Sequence, residues 1–142
     1  MVFSHYSANL VLDQLFRGRP WTPPTSYYWA LYTGDPLPTG GGPESQYGGY
    51  TRVILIPGLT SFLSTQGTPG VVSNGTSQKT VLNELVTFPA PTSKETVTHW
   101  GILDAVTGGN LLFFGRLLTP RGLVLGQPGP KFAPGDFVFG LV

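Results

Sequence analysis

Residues 99–120, HWGILDAVTGGNLLFFGRLLTP, constrain the fold more than any other stretch of the chain. Two apolar and aromatic runs flank Asp104-Ala105-Val106-Thr107-Gly108-Gly109-Asn110. A chain that reverses direction needs residues tolerant of positive φ and side chains that bond nearby backbone groups, which Gly, Asp and Asn supply. The segment therefore reads as a β-hairpin. A second mark of the same kind, Ala133-Pro134-Gly135-Asp136, precedes a final apolar run over residues 137–142.

The same grammar recurs upstream. Residues 27–33 are rich in the aromatics that suit a pleated surface, and residues 51–56 form another run closed by Pro57-Gly58. Strands are also expected at 80–88, 96–103 and 111–118. One helix is expected over residues 4–17, with Ser4 as N-cap and Gly18 at the left-handed C-terminal position. Within it Ala8, Val11, Leu12, Leu15 and Phe16 recur at three- and four-residue spacing and form one apolar stripe. These elements predict a mainly β fold: a single domain over 1–142, an antiparallel β-barrel or sandwich with one short N-terminal helix. Three long Gly/Pro-rich or polar loops are expected at 34–49, 64–79 and 119–134. Unstructured loops beyond about 12–15 residues are uncommon in compact domains. They are read here as arms toward another subunit or protein, because the third carries Leu123, Val124 and Leu125, which are costly to leave in water.

Composition narrows the function. Charged residues make up 11% of the 142-residue chain, against about 25% in an ordinary globular protein. A surface of roughly 7,000 Å² for this mass is thus thinly charged, which favours association. Nucleic-acid binding needs a clustered cationic footprint, and no basic run exceeds Arg17 and Arg19. The apolar stretch at residues 10–16 is too short to span a bilayer and lacks the features of a signal peptide, so a soluble protein made in a cytoplasm is expected. The absence of cysteine excludes disulfides and thiolate metal sites. A single methionine and 14 prolines fit a heat-tolerant chain.

Candidate chemistry is sparse. His5 and His99 are the neutral-pH bases; His99 reads as a structural histidine beside Trp100, and His5 has no acidic residue nearer in sequence than Asp13. Asp35, Asp104 and Asp136 sit in turn sequences that account for them locally. Gly40-Gly41-Gly42 is followed by Pro43 and lacks the Lys-Ser/Thr of a phosphate loop. Asn74-Gly75-Thr76 reads as a turn. Alternation along residues 28–32 sends Trp29 and Leu31 to one face and Tyr28, Ala30 and Tyr32 to the other. The first is read as core and the second as a subunit interface, with a carbohydrate-stacking platform as the alternative. No enzyme activity, cofactor or metal is expected.

Several of these segments together resemble a family of small tailed-phage virion proteins, some of which carry tail-fibre labels. They are Thr22-Pro23-Pro24-Thr25, Thr33-Gly34-Asp35-Pro36, Tyr47-Gly48-Gly49-Tyr50-Thr51-Arg52-Val53, Val86-Thr87-Phe88-Pro89-Ala90, Trp100-Gly101-Ile102-Leu103-Asp104 and Phe132-Ala133-Pro134-Gly135-Asp136. Within that group the chain is most similar to trimeric capsid decoration (cement) proteins of thermophilic phage. The resemblance implies a homotrimer on the outside of the head shell that contacts the major capsid protein and stabilises the capsid without catalysis. A tail-fibre or baseplate component is the alternative. The residues expected to make subunit or capsid contact are Val11, Leu15 and Phe16 of the helix, which could also pack on the body of the domain, Tyr47 and Tyr50 of the first loop, and Leu123, Val124 and Leu125 of the third.

Overall fold

The computed structural model describes residues 1–141. The elements are β1 (Val2–Phe3), α1 (His5–Phe16), β2 (Tyr27–Tyr32), β3 (Val53–Leu55), β4 (Lys79–Val81), β5 (Val86–Thr87), β6 (Glu95–Leu103), β7 (Leu111–Leu123), β8 (Lys131–Phe132) and β9 (Val138–Gly140). The chain is mainly β, with antiparallel sheets and one short helix, as the turn grammar predicts.

The hairpin at residues 99–120 is the middle of the molecule. β6 and β7 pair antiparallel from Leu103↔Leu111 through Trp100↔Gly115 to Glu95↔Leu123. β2 flanks β6 with Leu31 opposite Trp100, β3 lies outside β2, and β1 borders β7, giving a five-stranded sheet ordered β1-β7-β6-β2-β3. Two short ribbons, β4–β9 and β5–β8, supply the second layer of a sandwich-like domain. Trp29, Leu31, Val97, Trp100 and Ile102 of the sheet share one core with Leu82, Val86, Phe88, Phe132, Phe137 and Phe139 from the ribbons and their flanks. Trp29 lies 4.2 Å from Phe137 and 5.2 Å from Trp100 between ring centroids. Rings of this kind bury about 150–250 Å² each, so a few of them stabilise a chain that has little else to spend on cohesion.

The opposite face of β2 corrects one expectation. Ala30 and Tyr32 are buried with Leu103, Leu111 and Phe114 in a second, smaller cluster. Pro36 is fully buried, and Gly40 lies against Leu111, so the first loop folds over this face. Ala30 and Tyr32 are closed by their own chain and offer no free interface or sugar platform, while Tyr28 on the same face stays half-buried.

The loops are also more structured than their composition suggests. In the first, Thr33 donates its amide to Pro43 O at 3.0 Å and Ser45 to Leu31 O at 2.8 Å, which pins the loop to β2. The second bonds largely to itself: Gln66 Nε2 donates to Val72 O at 3.0 Å, and Gln66 Oε1 accepts from Asn74 N at 3.0 Å. The third is mostly strand. β7 runs on to Leu123 and β8 begins at Lys131, because residues 121–123 find partners in the first residues of β6. The expected strand at 80–88 divides into β4 and β5, whose partners differ. Of the expected terminal strand, Val142 lies outside the described residues.

β7 reaches that length by a bulge. His99 pairs with Arg116 and Val97 with Arg121, so Leu117, Leu118, Thr119 and Pro120 stand against Thr98 alone. Leu117 turns into the core, while Leu118 is 104% exposed. Proline in a strand is confined to edges and bulges, in keeping with Pro120 here.

One close approach sets the sheet. A Cβ on Gly115 would sit 2.8 Å from Trp100 Cζ2, and Trp100 is locked among Trp29, Phe137 and Phe139. G115V therefore overpacks a site with no room to yield and should destabilise the fold by about 1–3 kcal/mol. Urea denaturation checks this; a variant as stable as wild type would mean that Trp100 is not held as described.

Candidate assembly surface

α1 starts where the chain leaves β1. Ser4 is the N-cap: its Oγ accepts from Ser7 N at 3.1 Å and donates to Leu111 O, while its own amide donates to Leu112 O at 2.9 Å. Ser7 Oγ donates to Leu112 O. Both serines are buried, and Ser7 is the buried residue of the helix. The side of α1 that meets the body is thus held by hydroxyl-to-carbonyl bonds at the start of β7. At the other end Gly18 takes a φ of 64°, and the Arg17 and Arg19 amides both donate to Asp13 O at 3.1 Å. A left-handed glycine ends the helix there.

The consequence is an inverted amphipathic helix. Val11, Leu12, Leu15 and Phe16 are exposed, Leu15 to 68% and Phe16 to 78%. Of the two places the sequence allows for this stripe, the shell or the body of the domain, the structure rules out the body for Val11, Leu12, Leu15 and Phe16. The nearby charges are spent within the chain, since Asp13 pairs with Arg17 at 3.0 Å and lies 3.8 Å from Arg19. A largest exposed apolar patch of about 300–600 Å² is ordinary for a monomer and is often functional. The total exposed area of 8168 Å² exceeds the roughly 7,000 Å² expected of a compact monomer of this mass. α1 contributes to that excess.

The other expected contact residues divide. Tyr47 is buried in the main core and donates its hydroxyl to Pro89 O at 2.9 Å. Tyr50 packs against the same core, and Leu123 is buried opposite Glu95. These three side chains stabilise the chain's own interior, which removes the reason for placing them at a subunit contact. Val124 and Leu125 are exposed in the turn between β7 and β8. They share no element with α1.

The structure also holds a polar cluster that the sequence does not reveal. Arg52 donates through Nε to Glu44 Oε1 and through Nη2 to Glu44 Oε2, each at 2.7 Å. Its Nη1 donates to Ala105 O at 2.7 Å and Gly108 O at 2.8 Å. Tyr50 donates to Glu44 Oε1 at 2.8 Å and accepts from Leu31 N at 3.2 Å. The carboxylate beside it raises the Arg52 pKa further, so the guanidinium stays charged. The eight-residue separation of Glu44 and Arg52 across a Gly-Gly turn gave no recognisable signal.

The candidate chemical residues are occupied locally. Asp35 Oδ1 accepts from Leu37 N at 2.9 Å, Asp136 Oδ2 from Ala133 N at 2.8 Å, and Asp104 holds both the backbone and side-chain nitrogens of Asn110. All three are turn bonds. His99 Nδ1 shares a 2.8 Å hydrogen bond with Thr98 Oγ1. Among the described residues no three His, Asp or Glu groups come together in a way that suits a metal, and no helix is long and apolar enough to cross a membrane.

Residues 2–139 match the family described as podophage GP4 fiber I protein gp80. The chain belongs to this family. It is a phage virion protein, as the turn motifs of the sequence implied. No curated protein matches it.

The buried hydroxyls carry a pH prediction. Burial, reinforced by the Glu44 carboxylate, pushes Tyr32 up to about 12 from the usual 10.0. Burial, reinforced by Glu95, does the same for Tyr47. A raised folded-state pKa means the neutral phenol is the form the fold accepts. Its stabilisation is complete below pH 10 and is lost as pH climbs through 12. Thermal melts should hold their midpoint up to that lower bound and fall steadily above it, with tyrosinate absorbance growing as structure is lost. Full tyrosine ionisation in a protein that stays folded would contradict the burial described.

Proposed function

We propose that this chain is a non-enzymatic structural component of the podophage tail fibre or its attachment region, without a cofactor, that joins the virion through the apolar face of α1. The observation that carries the reading is the match to a fibre protein family over residues 2–139. It takes precedence over the capsid-decoration resemblance, which rests on turn motifs that any β-rich virion protein of this kind can share. The exposed stripe of Val11, Leu12, Leu15 and Phe16 supports a docking role. Fully burying each such side chain is worth about 1.5–3 kcal/mol, and nothing among the described residues covers them. The partner is another virion protein with an apolar groove, since helix-in-groove recognition reads side chains at this spacing.

Gold-labelled antibody against the protein should decorate the tail region of purified virions. Label spread over the heads would overturn the fibre reading and restore the decoration protein. In virions grown with a complementing gene, L15D/F16D should be made and folded yet absent from the particles. Its melt should stay close to wild type, because exposed positions usually shift stability by less than about 0.5 kcal/mol. Normal incorporation would remove α1 from the attachment.

A further inference from the structure

Beside the β4–β9 ribbon a groove of about 400 Å³ opens into the main core. The five-stranded sheet lines it with Tyr27, Ile102 and Phe113, and Phe62 and Phe139 line it as well. Tyr27, Phe62 and Phe113 pack on the core yet are only half-buried, so aromatic surface faces the groove. Lys79 is the one charged side chain in the lining. Its stem lies across Gly140, where a Cβ would meet Lys79 Cγ at 3.2 Å, and it makes no ion pair among the described residues. Gln78, next to it and also in the lining, takes a φ of 57°. A left-handed backbone is costly for any residue but glycine, and such strain clusters at ligand sites.

Apolar walls with a few polar groups at fixed places are the ordinary form of a small-molecule cleft. We infer that this groove binds a single-chain anionic amphiphile, with its apolar chain against Tyr27, Phe62 and Phe113 and its head group on Lys79. The sign of the head follows from charge. An unpaired ammonium beside apolar walls attracts an anion and repels a cation more strongly than it would in open water. The length of the chain follows from volume. About 400 Å³ lies near the lower end of the range for ligand clefts, about 300–1,000 Å³, and suits one chain of roughly ten carbons rather than the two of a bilayer lipid. No residue of α1 lines the groove, so the inference is independent of how the protein joins the virion.

Calorimetric titration of the purified chain with decanoate, kept below its micelle-forming concentration, tests this. Binding should saturate at one molecule per chain. Octanoate, shorter by two methylenes, should bind about tenfold more weakly. Decylammonium, with the same chain and the opposite charge, should also bind about tenfold more weakly than decanoate. K79E should reverse that preference. K79Q should abolish it while melting close to wild type, which guards against a folding defect in K79E. In an NMR titration with decanoate the amides of β4 and β9 should shift and those of α1 should not. The protein should not float with phosphatidylglycerol vesicles, because the groove holds a free amphiphile and not a bilayer lipid. Equal binding of decanoate and decylammonium, shifts centred on α1, flotation with the vesicles, or no saturable binding would each overturn the inference.

Discussion

Arg52 places a full positive charge inside a chain that has few charges, and its four hydrogen bonds tie three segments together. Glu44 comes from the first long loop, Ala105 and Gly108 from the central hairpin turn, and Arg52 itself from the strand entering the sheet edge. Tyr50 extends the link to the backbone of β2 through Leu31. Removing one partner strands the other charge; because the Glu44 side chain is 27% exposed, the cost falls below the about 3–5 kcal/mol of a fully buried pair. The clamp is therefore what converts a Gly/Pro-rich loop into a lid over Tyr32 and the second cluster.

With its loops held, the chain closes its own interior, leaving Trp29 Nε1 without a hydrogen-bond partner there, and places its surplus of apolar side chains outside. α1 shows the principle most clearly. An isolated helix of this length is marginal in water, and this one is fixed by polar bonds from Ser4 and Ser7 rather than by its apolar stripe. The stripe is therefore available to a partner without any unfolding. The same division of labour applies at β7, where Leu117 enters the core and Leu118, its neighbour, is held out by the bulge. A surface with so few charges has little to keep such features apart from other proteins, which suits a part that functions inside an assembly.

The hairpin, the strand content and the helix were legible because each depends on local chemistry: turn residues, alternation, a capping serine and a stopping glycine. The three turn aspartates were legible for the same reason. What escaped the sequence depends on distant pairing. Leu123 read as part of an exposed arm because its partner, Glu95, lies far upstream. Tyr47 and Tyr50 read as interface residues because aromatics in a glycine-rich loop look solvent-bound until Pro89 and Glu44 are brought to them. The spacing of the α1 stripe shows that the helix is amphipathic, yet not which side faces inward; that is decided by the hydroxyls of Ser4 and Ser7 meeting the Leu111 and Leu112 carbonyls of β7. The bulge that turns Leu118 outward depends on a register shift, which no composition rule reports.

The central claim is that α1 presents its apolar face for assembly while the Arg52 clamp closes the rest of the chain on itself. Amide hydrogen exchange, compared between the purified protein and the protein in intact virions, tests it most directly. Amides of the C-terminal half of α1 should exchange readily in the purified protein and become protected in the particle, while those of β2 and β6 should be protected in both. Protection of α1 that is already complete in the free protein, or unchanged exchange there in the virion, would contradict the account.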